Sequence, residues 1–202
     1  LAAALAKVEG NADYAKKYWD ILTIWTNYLV EYGQDPSNQL CTDDFAGHWA
    51  HNANLSVKAI MGIAGYSEIA RMLGFNDLSD EYATIAKKMA VKWEEMANEG
   101  DHYRLAFDRK NTWSQKYNMI WDKMWNLNLF PNNVIGKEIN YYLTKQNPYG
   151  LPLDSRKDYT KSDWIMWTAA MSSDQVTFEK FVDPLYNCLL YTSDAADDLI
   201  GV

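Results

Sequence analysis

The sequence predicts an all-α domain built as an α/α toroid, a ring of helical hairpins, and three observations lead to this prediction. Apolar residues recur at three- and four-residue steps along most of the chain, which is the spacing of one helix face. Segments that are apolar on nearly every side alternate with segments that carry a single apolar stripe, as the inner and outer helices of a ring do. The links from inner to outer helices are short, whereas the links from outer back to inner helices are long.

The helices follow one another in a regular order. The chain opens on an alanine-rich run, residues 1–6, which reads as the end of a helix, and the next helix carries its apolar residues on one face. The members of that face are Tyr14, Tyr18, Ile21, Trp25, Tyr28 and Tyr32. Inner helices are then predicted at 54–73, 114–127 and 162–171, and outer helices at 80–99, 132–146 and 174–187. Together they would form a partial ring.

Three long loops connect these helices, and we expect all of them at the same end of the ring. They span residues 33–53, 100–113 and 147–161, whereas the short links span 74–79, 128–131 and 172–173. Because neighbouring helices are antiparallel, each long loop must lead to the N-terminus of an inner helix. Loops longer than about a dozen residues in a compact domain are usually functional, so we expect the site at this end.

Composition limits the classes of partner. The chain has 202 residues, enough for one domain or part of a larger one, and a net charge of -8. A mildly acidic chain without basic clusters argues against nucleic acid or an anionic membrane as a partner. No apolar stretch is long enough to span a bilayer.

Both ends of the chain suggest an internal fragment of a longer protein. The first residue is Leu1, and no secretory signal follows it. Residues 188–202 look like one reading frame of a transposase adapter from a shotgun sequencing library, which indicates a metagenomic origin. We therefore expect residues 1–187 to be the native domain and 188–202 a non-native tail. Without that tail Cys41 is the one cysteine, so neither a disulfide nor a zinc motif is available.

The first long loop carries two adjacent acids and two histidines. Asp43 and Asp44 are candidate catalytic residues, because paired carboxylates can act as general acid and general base. The alternative is that they cap or support a helical turn. His48 and His51 are candidate substrate-binding residues. Their spacing also permits a metal site, but no third ligand has suitable spacing, so no metal is predicted.

The other two long loops and the start of the helix that follows the third loop supply the remaining candidates. Arg104 is suited to a substrate carboxylate, or to a salt bridge with a loop aspartate. Asp154 and Asp163 complete the candidate catalytic acids. Trp113 and Trp164 are candidate substrate-binding residues, although packing in the core is the commoner fate of a tryptophan. The chain lacks a G-x-S-x-G elbow, a P-loop, a dinucleotide fingerprint, an H-E-x-x-H motif and an S-x-x-K motif.

Three motifs carry a resemblance to a known family. They read TDDFAGHWAHNANLSVKAI from residue 42, YRLAFDRKNTWSQKYNMIWDKMW from residue 103 and YGLPLDSRKDYTKSDWIMWTA from residue 149. Over residues 13–187 the chain resembles the six-helical-hairpin domain of the glutaminase A family.

This resemblance implies hydrolysis of L-glutamine to glutamate and ammonia, outside the cytoplasm and without a cofactor. One carboxylate would activate water, a second acid would protonate the leaving ammonia, and other domains of the parent chain would be its partners. A glycoside hydrolase is an alternative, because six-hairpin toroids commonly host glycosidases, which need two carboxylates and aromatic platforms. A non-catalytic structural module of a larger protein is the other alternative.

Overall fold

The computed structural model describes residues 1–38 and 47–197, and in this part the chain is all-α. Its helices are α1 (Ala2–Glu9), α2 (Asp13–Lys17), α3 (Trp19–Tyr32), α4 (Ala53–Met72), α5 (Asn76–Ala97), α6 (Ile120–Trp125), α7 (Asn132–Leu143), α8 (Ser162–Ala170) and α9 (Gln175–Asp197). A 3-10 turn, Tyr117–Met119, precedes α6. The described residues contain no β-strand, only isolated bridges between loop residues. None of the described helices has the length and hydropathy needed to cross a membrane.

The hairpin of α4 and α5 forms the centre of the structure. Helix α4 is buried on almost every side, as its continuous apolar pattern predicts, whereas α5 buries a single stripe that includes Tyr82, Met89 and Trp93. The Trp93 indole donates a hydrogen bond of 2.8 Å to the Ala53 carbonyl, so the end of α5 is fixed to the start of α4. A fully buried side chain of this size contributes about 1.5–3 kcal/mol to folding. The prediction of an inner and an outer helix is confirmed here.

The next inner helix is shorter than predicted. The sequence pattern indicated a helix at 114–127, but only the 3-10 turn and α6 are helical. Residues 114–116 instead join the long loops: the Gln115 N–H donates to the Leu153 carbonyl at 2.8 Å. At the other end Asn126 adopts a left-handed conformation, with φ 53°, and ends the helix. The buried Asp122 carboxylate then holds the link to α7 by accepting from the N–H groups of Leu129 and Phe130.

Helix α3 packs with a different face from the one expected. Its contacts with α4 and α5 come from residues such as Trp19 and Leu29, whereas the stripe read from the sequence faces solvent. The exposed members are Tyr14, Tyr18, Ile21, Trp25, Tyr28 and Tyr32. A backbone break at Tyr18 separates α2 from α3. This segment therefore has two apolar faces, of which one is covered.

Helix α9 continues past the end predicted for it. The pattern placed the last helix at 174–187, and the structure extends it to Asp197, through the segment interpreted as a non-native tail. Leu189 and Tyr191 in this extension are exposed. Pro184 lies inside the helix, where its missing N–H removes one backbone hydrogen bond. The domain boundary at residue 187 stays a prediction.

Candidate functional site

The three long loops meet at one end of the helices, as the hairpin topology predicts. The first and second loops pair through their backbones: Ala53 donates to Leu105 at 2.8 Å, and Phe107 donates to His51 at 2.9 Å. The second and third loops pair in the same way, since Ser155 donates to Trp113 at 3.0 Å. These contacts confirm the prediction that the long loops share one end.

Two inner helices and the 3-10 turn begin at this end. Asn52 caps α4, because its side-chain oxygen accepts from the Leu55 N–H at 2.8 Å. The 3-10 turn packs against both α4 and α8. Asn118 of that turn donates to Asn54 at 3.3 Å, with both side chains buried. The end therefore brings together helix N-termini, which favour anions, and buried amides.

Trp49 joins all three loops. Its ring lies between two guanidinium groups, that of Arg109 from the second loop at 4.9 Å and that of Arg156 from the third loop at 5.2 Å. Cation–π contacts of this kind contribute about 0.5–1 kcal/mol each at exposed sites. Arg156 also donates through Nη1 to the carbonyl of Gly47, beside Trp49. The part of the first loop that follows residue 46 is thus anchored on the other two.

The four acids predicted as catalytic have different surroundings. Asp43 and Asp44 lie outside the described residues. Asp154 is buried, and its carboxylate is bound by Arg156, with Nη2 2.6 Å from Oδ2 and Nε 3.0 Å from Oδ1. Asp163 lies in the first turn of α8 and is exposed. Their catalytic assignment stays a prediction.

The two histidines of the first loop also have different surroundings. His48 is exposed. His51 forms a hydrogen bond of 2.8 Å with Asp35 across the loop, and this bond raises the pKa of His51 above its ordinary value. His51 has a left-handed backbone, with φ 61°, which is uncommon for a residue with a side chain. Within the described ranges no cluster of His, Cys, Asp and Glu suits a metal ion.

The remaining predicted substrate-binding residues are largely engaged with protein. The Arg104 guanidinium donates to the Phe107 carbonyl at 3.1 Å, and its Nε lies 3.4 Å from Glu99. The loop salt bridge that was the alternative for Arg104 is therefore present, with a glutamate in place of an aspartate. Trp113 is 8% exposed and Trp164 is 4% exposed.

A buried polar network beneath the loops was missed in the sequence. Lys116 and Glu138 are both fully buried, with Nζ 3.5 Å from Oε2. Glu138 also accepts from the Tyr103 N–H at 2.7 Å and from the Tyr142 hydroxyl. Burial, with the charge of Glu138, raises the pKa of Tyr142 well above its ordinary value, so the phenol stays neutral. Glu138 and Tyr142 are four apart on α7, a spacing that places both on the inward face.

Two clefts open at the opposite end of the helices. One, of about 510 Å³, lies beside Trp19 and the α4–α5 link. The other, of about 370 Å³, lies between α4, α5 and the end of α6. Its charged groups are paired with one another, because Glu68 binds both Lys7 at 2.6 Å and Arg71 at 2.5 Å. The polar side chains that the three long loops bring together are therefore at the loop end, away from these clefts.

The chain is all-α, and the long loops between its helical hairpins bring polar side chains together at one end. It therefore belongs to the class of toroid-like helical domains. More narrowly, the chain belongs to the glutaminase A six helical-hairpin domain family, whose model matches residues 1–197. It is 37% identical over 180 residues to Glutaminase A of Aspergillus oryzae, and the aligned region covers 87% of this chain and 26% of that protein. It is 34% identical over 195 residues to a protein of Arthroderma benhamiae named "Probable glutaminase", and the aligned region covers 82% of this chain and 23% of that protein. The chain thus spans about a quarter of the length of these curated relatives.

Proposed function

We propose that this domain takes part in the hydrolysis of L-glutamine to glutamate and ammonia. The names of the two relatives suggest the reaction, and the meeting of the three long loops at the helix N-termini is the observation that supports a site there. Water would add to the side-chain carbonyl carbon of glutamine, the C–N bond would break, and ammonia would leave with a proton. On family resemblance we also propose that the protein acts outside the cytoplasm.

The acids of the loop end would divide the proton transfers. A general base and a general acid must both reach the substrate, so an exposed carboxylate is better placed than a buried one. Asp163 meets this condition, and we propose that it acts with Asp43 or Asp44.

Arg109 is a better candidate than Arg104 for the α-carboxylate of the substrate. The Arg109 side chain is 56% exposed, and its contacts are the Trp49 ring and Asp108 at 3.8 Å. Arg104 is already shared between Glu99 and a carbonyl. A planar guanidinium that is held on an aromatic ring and keeps donors toward solvent is well suited to a carboxylate.

A carbohydrate substrate has less support. Sugar-binding enzymes present aromatic faces to the substrate, and here Trp164 stacks on Tyr117 at 5.1 Å with the rings nearly parallel. Trp113 packs against Tyr141 and Tyr142. These rings are used in packing, so we do not propose a glycosidase.

The proposal is tested by the release of ammonia from glutamine by the full-length protein, with a panel of aryl glycosides assayed in parallel. We expect turnover of glutamine and none of the glycosides. Asp163→Asn should lower kcat about a hundredfold or more, because Asn cannot ionise. The matched control is Asp77→Asn, since Asp77 occupies the first turn of α5 at the opposite end. No ammonia release by the unaltered protein would contradict the proposal.

A further inference from the structure

Asp154 has the contacts of an anchoring residue. It is 2% exposed, and three N–H groups of Arg156 reach its carboxylate. The backbone N–H and Nε donate to Oδ1 at 2.8 and 3.0 Å, and Nη2 donates to Oδ2 at 2.6 Å. Both oxygens are therefore occupied by one cation. Charge-assisted, two-pronged bonding of this kind is strong and fixes the plane of the guanidinium.

The guanidinium fixed in this way reaches a distant part of the chain. The remaining nitrogen, Nη1, donates to the carbonyl of Gly47, which is 109 positions away in the sequence. The same group lies over the Trp49 ring, with Cζ 5.2 Å from the ring centroid. Gly47 has a φ of +105°, a conformation that favours glycine, and its backbone thereby presents the carbonyl to Arg156. The Arg156 side chain is 7% exposed, whereas Gly47 is exposed, so Arg156 joins a buried carboxylate to a backbone at the surface.

We propose that Asp154 and Arg156 act as one unit that positions the Gly47–Trp49 segment of the first long loop, and that Asp154 is a positioning residue for the loop end. Asp154 orients Arg156, and Arg156 holds the loop through one hydrogen bond and one cation–π contact. The link to activity rests on the proposed function, whereas the positioning of the loop does not.

Hydrogen exchange in the 202-residue chain tests the positioning directly. The reporters are the amides of His51, bonded to the Pro36 carbonyl at 2.7 Å, and of Ala53, bonded to the Leu105 carbonyl. Asp154→Asn removes the charge that orients Arg156, and Arg156→Lys keeps a charge but loses the planar fork. We expect both variants to exchange these two amides about tenfold faster, while amides of the α5 interior keep their rates. The control is Asp158→Asn, an exposed acid of the same loop, which should change neither.

A double variant and an activity assay complete the test. If the two residues act as one unit, Asp154→Asn with Arg156→Lys should exchange no faster than either single variant. In the full-length protein both single variants should lose ammonia release to a similar degree, with the pH profile of the residual rate unchanged.

Three results would overturn the proposal: unchanged exchange at His51 and Ala53, an additive double variant, or an activity loss confined to Asp154→Asn with an altered pH profile. The exchange result decides the positioning even if the unaltered protein releases no ammonia, an outcome that would contradict the proposed function alone.

Discussion

Replacing Glu138 by glutamine should destabilise the protein more than any surface substitution, because Glu138 balances a buried positive charge. Lys116 and Glu138 are both completely buried, and the pair lies beneath the meeting point of the second and third loops. Removing one partner of a buried ion pair leaves the other charge uncompensated, which typically costs about 3–5 kcal/mol. The Lys116 ammonium keeps two carbonyl partners, Tyr103 at 3.1 Å and Ser114 at 2.9 Å.

These remaining partners place the expected loss at the lower end of the range. We expect Glu138→Gln to lower the free energy of unfolding by about 3 kcal/mol. For a chain of this length, such a loss lowers the melting temperature by about 6–12 °C. The amide oxygen of the substituted side chain would still accept from the Tyr103 N–H, so the backbone there should stay in place.

Urea unfolding followed by circular dichroism measures this loss. The control is Glu95→Gln, because Glu95 pairs with Lys92 at 3.2 Å on the surface of α5 and its loss should cost less than about 1 kcal/mol. Removing both charges, Lys116→Met with Glu138→Gln, should cost less than Glu138→Gln alone, since no uncompensated charge stays buried and the amide oxygen still accepts from the Tyr103 N–H. If Glu138→Gln is as mild as Glu95→Gln, the buried pair does not have the role that we give it.

Three further predictions concern the termini, the surface and pH. Truncation after residue 187 should cost less than about 1 kcal/mol, because the extension beyond it exposes its large apolar side chains, and a loss of several kcal/mol would mean that the extension packs as native structure. The chain should self-associate through the aromatic face of α3, and Trp25→Glu should shift sedimentation toward monomer, whereas Lys88→Glu on α5 should not. The hydrogen bond of His51 with Asp35 should stabilise the fold fully below pH 6.5 and progressively less as pH rises through the raised pKa of His51. His51→Gln should remove this part of the pH dependence of the urea midpoint, and an unchanged dependence would exclude the pair as its source.

The sequence predicts an outer helix well where one face is apolar, and an inner helix well where every face is apolar. Helix α4 was expected at 54–73 and is Ala53–Met72, because a segment that is apolar on all sides can be stable only when surrounded. The exposed apolar surface lies on α3, which has apolar residues on two faces, and spacing alone does not show which face a neighbour covers.

The location of the candidate site could be predicted, but the contacts within it could not. Antiparallel helices require the long loops to share an end, and the structure confirms that they do. By contrast, the contact of Arg156 with Gly47 depends on two loop backbones that are folded by other residues. The burial of Lys116 was also missed, because lysine is rarely buried and its partner Glu138 lies on a different helix.

The two described acids among the catalytic candidates differ in their exposure to solvent. A carboxylate that exchanges protons with a substrate must be accessible in the reacting complex, whereas a buried carboxylate that is bound on both oxygens by a guanidinium is already engaged with protein. Asp163 satisfies the first condition and Asp154 the second. The two substitutions by asparagine should therefore reduce activity for different reasons: Asp163→Asn through a lost proton transfer, and Asp154→Asn through a displaced loop. Only the second should accelerate exchange at His51 and Ala53, so one measurement on the chain alone separates a reacting acid from an anchoring acid.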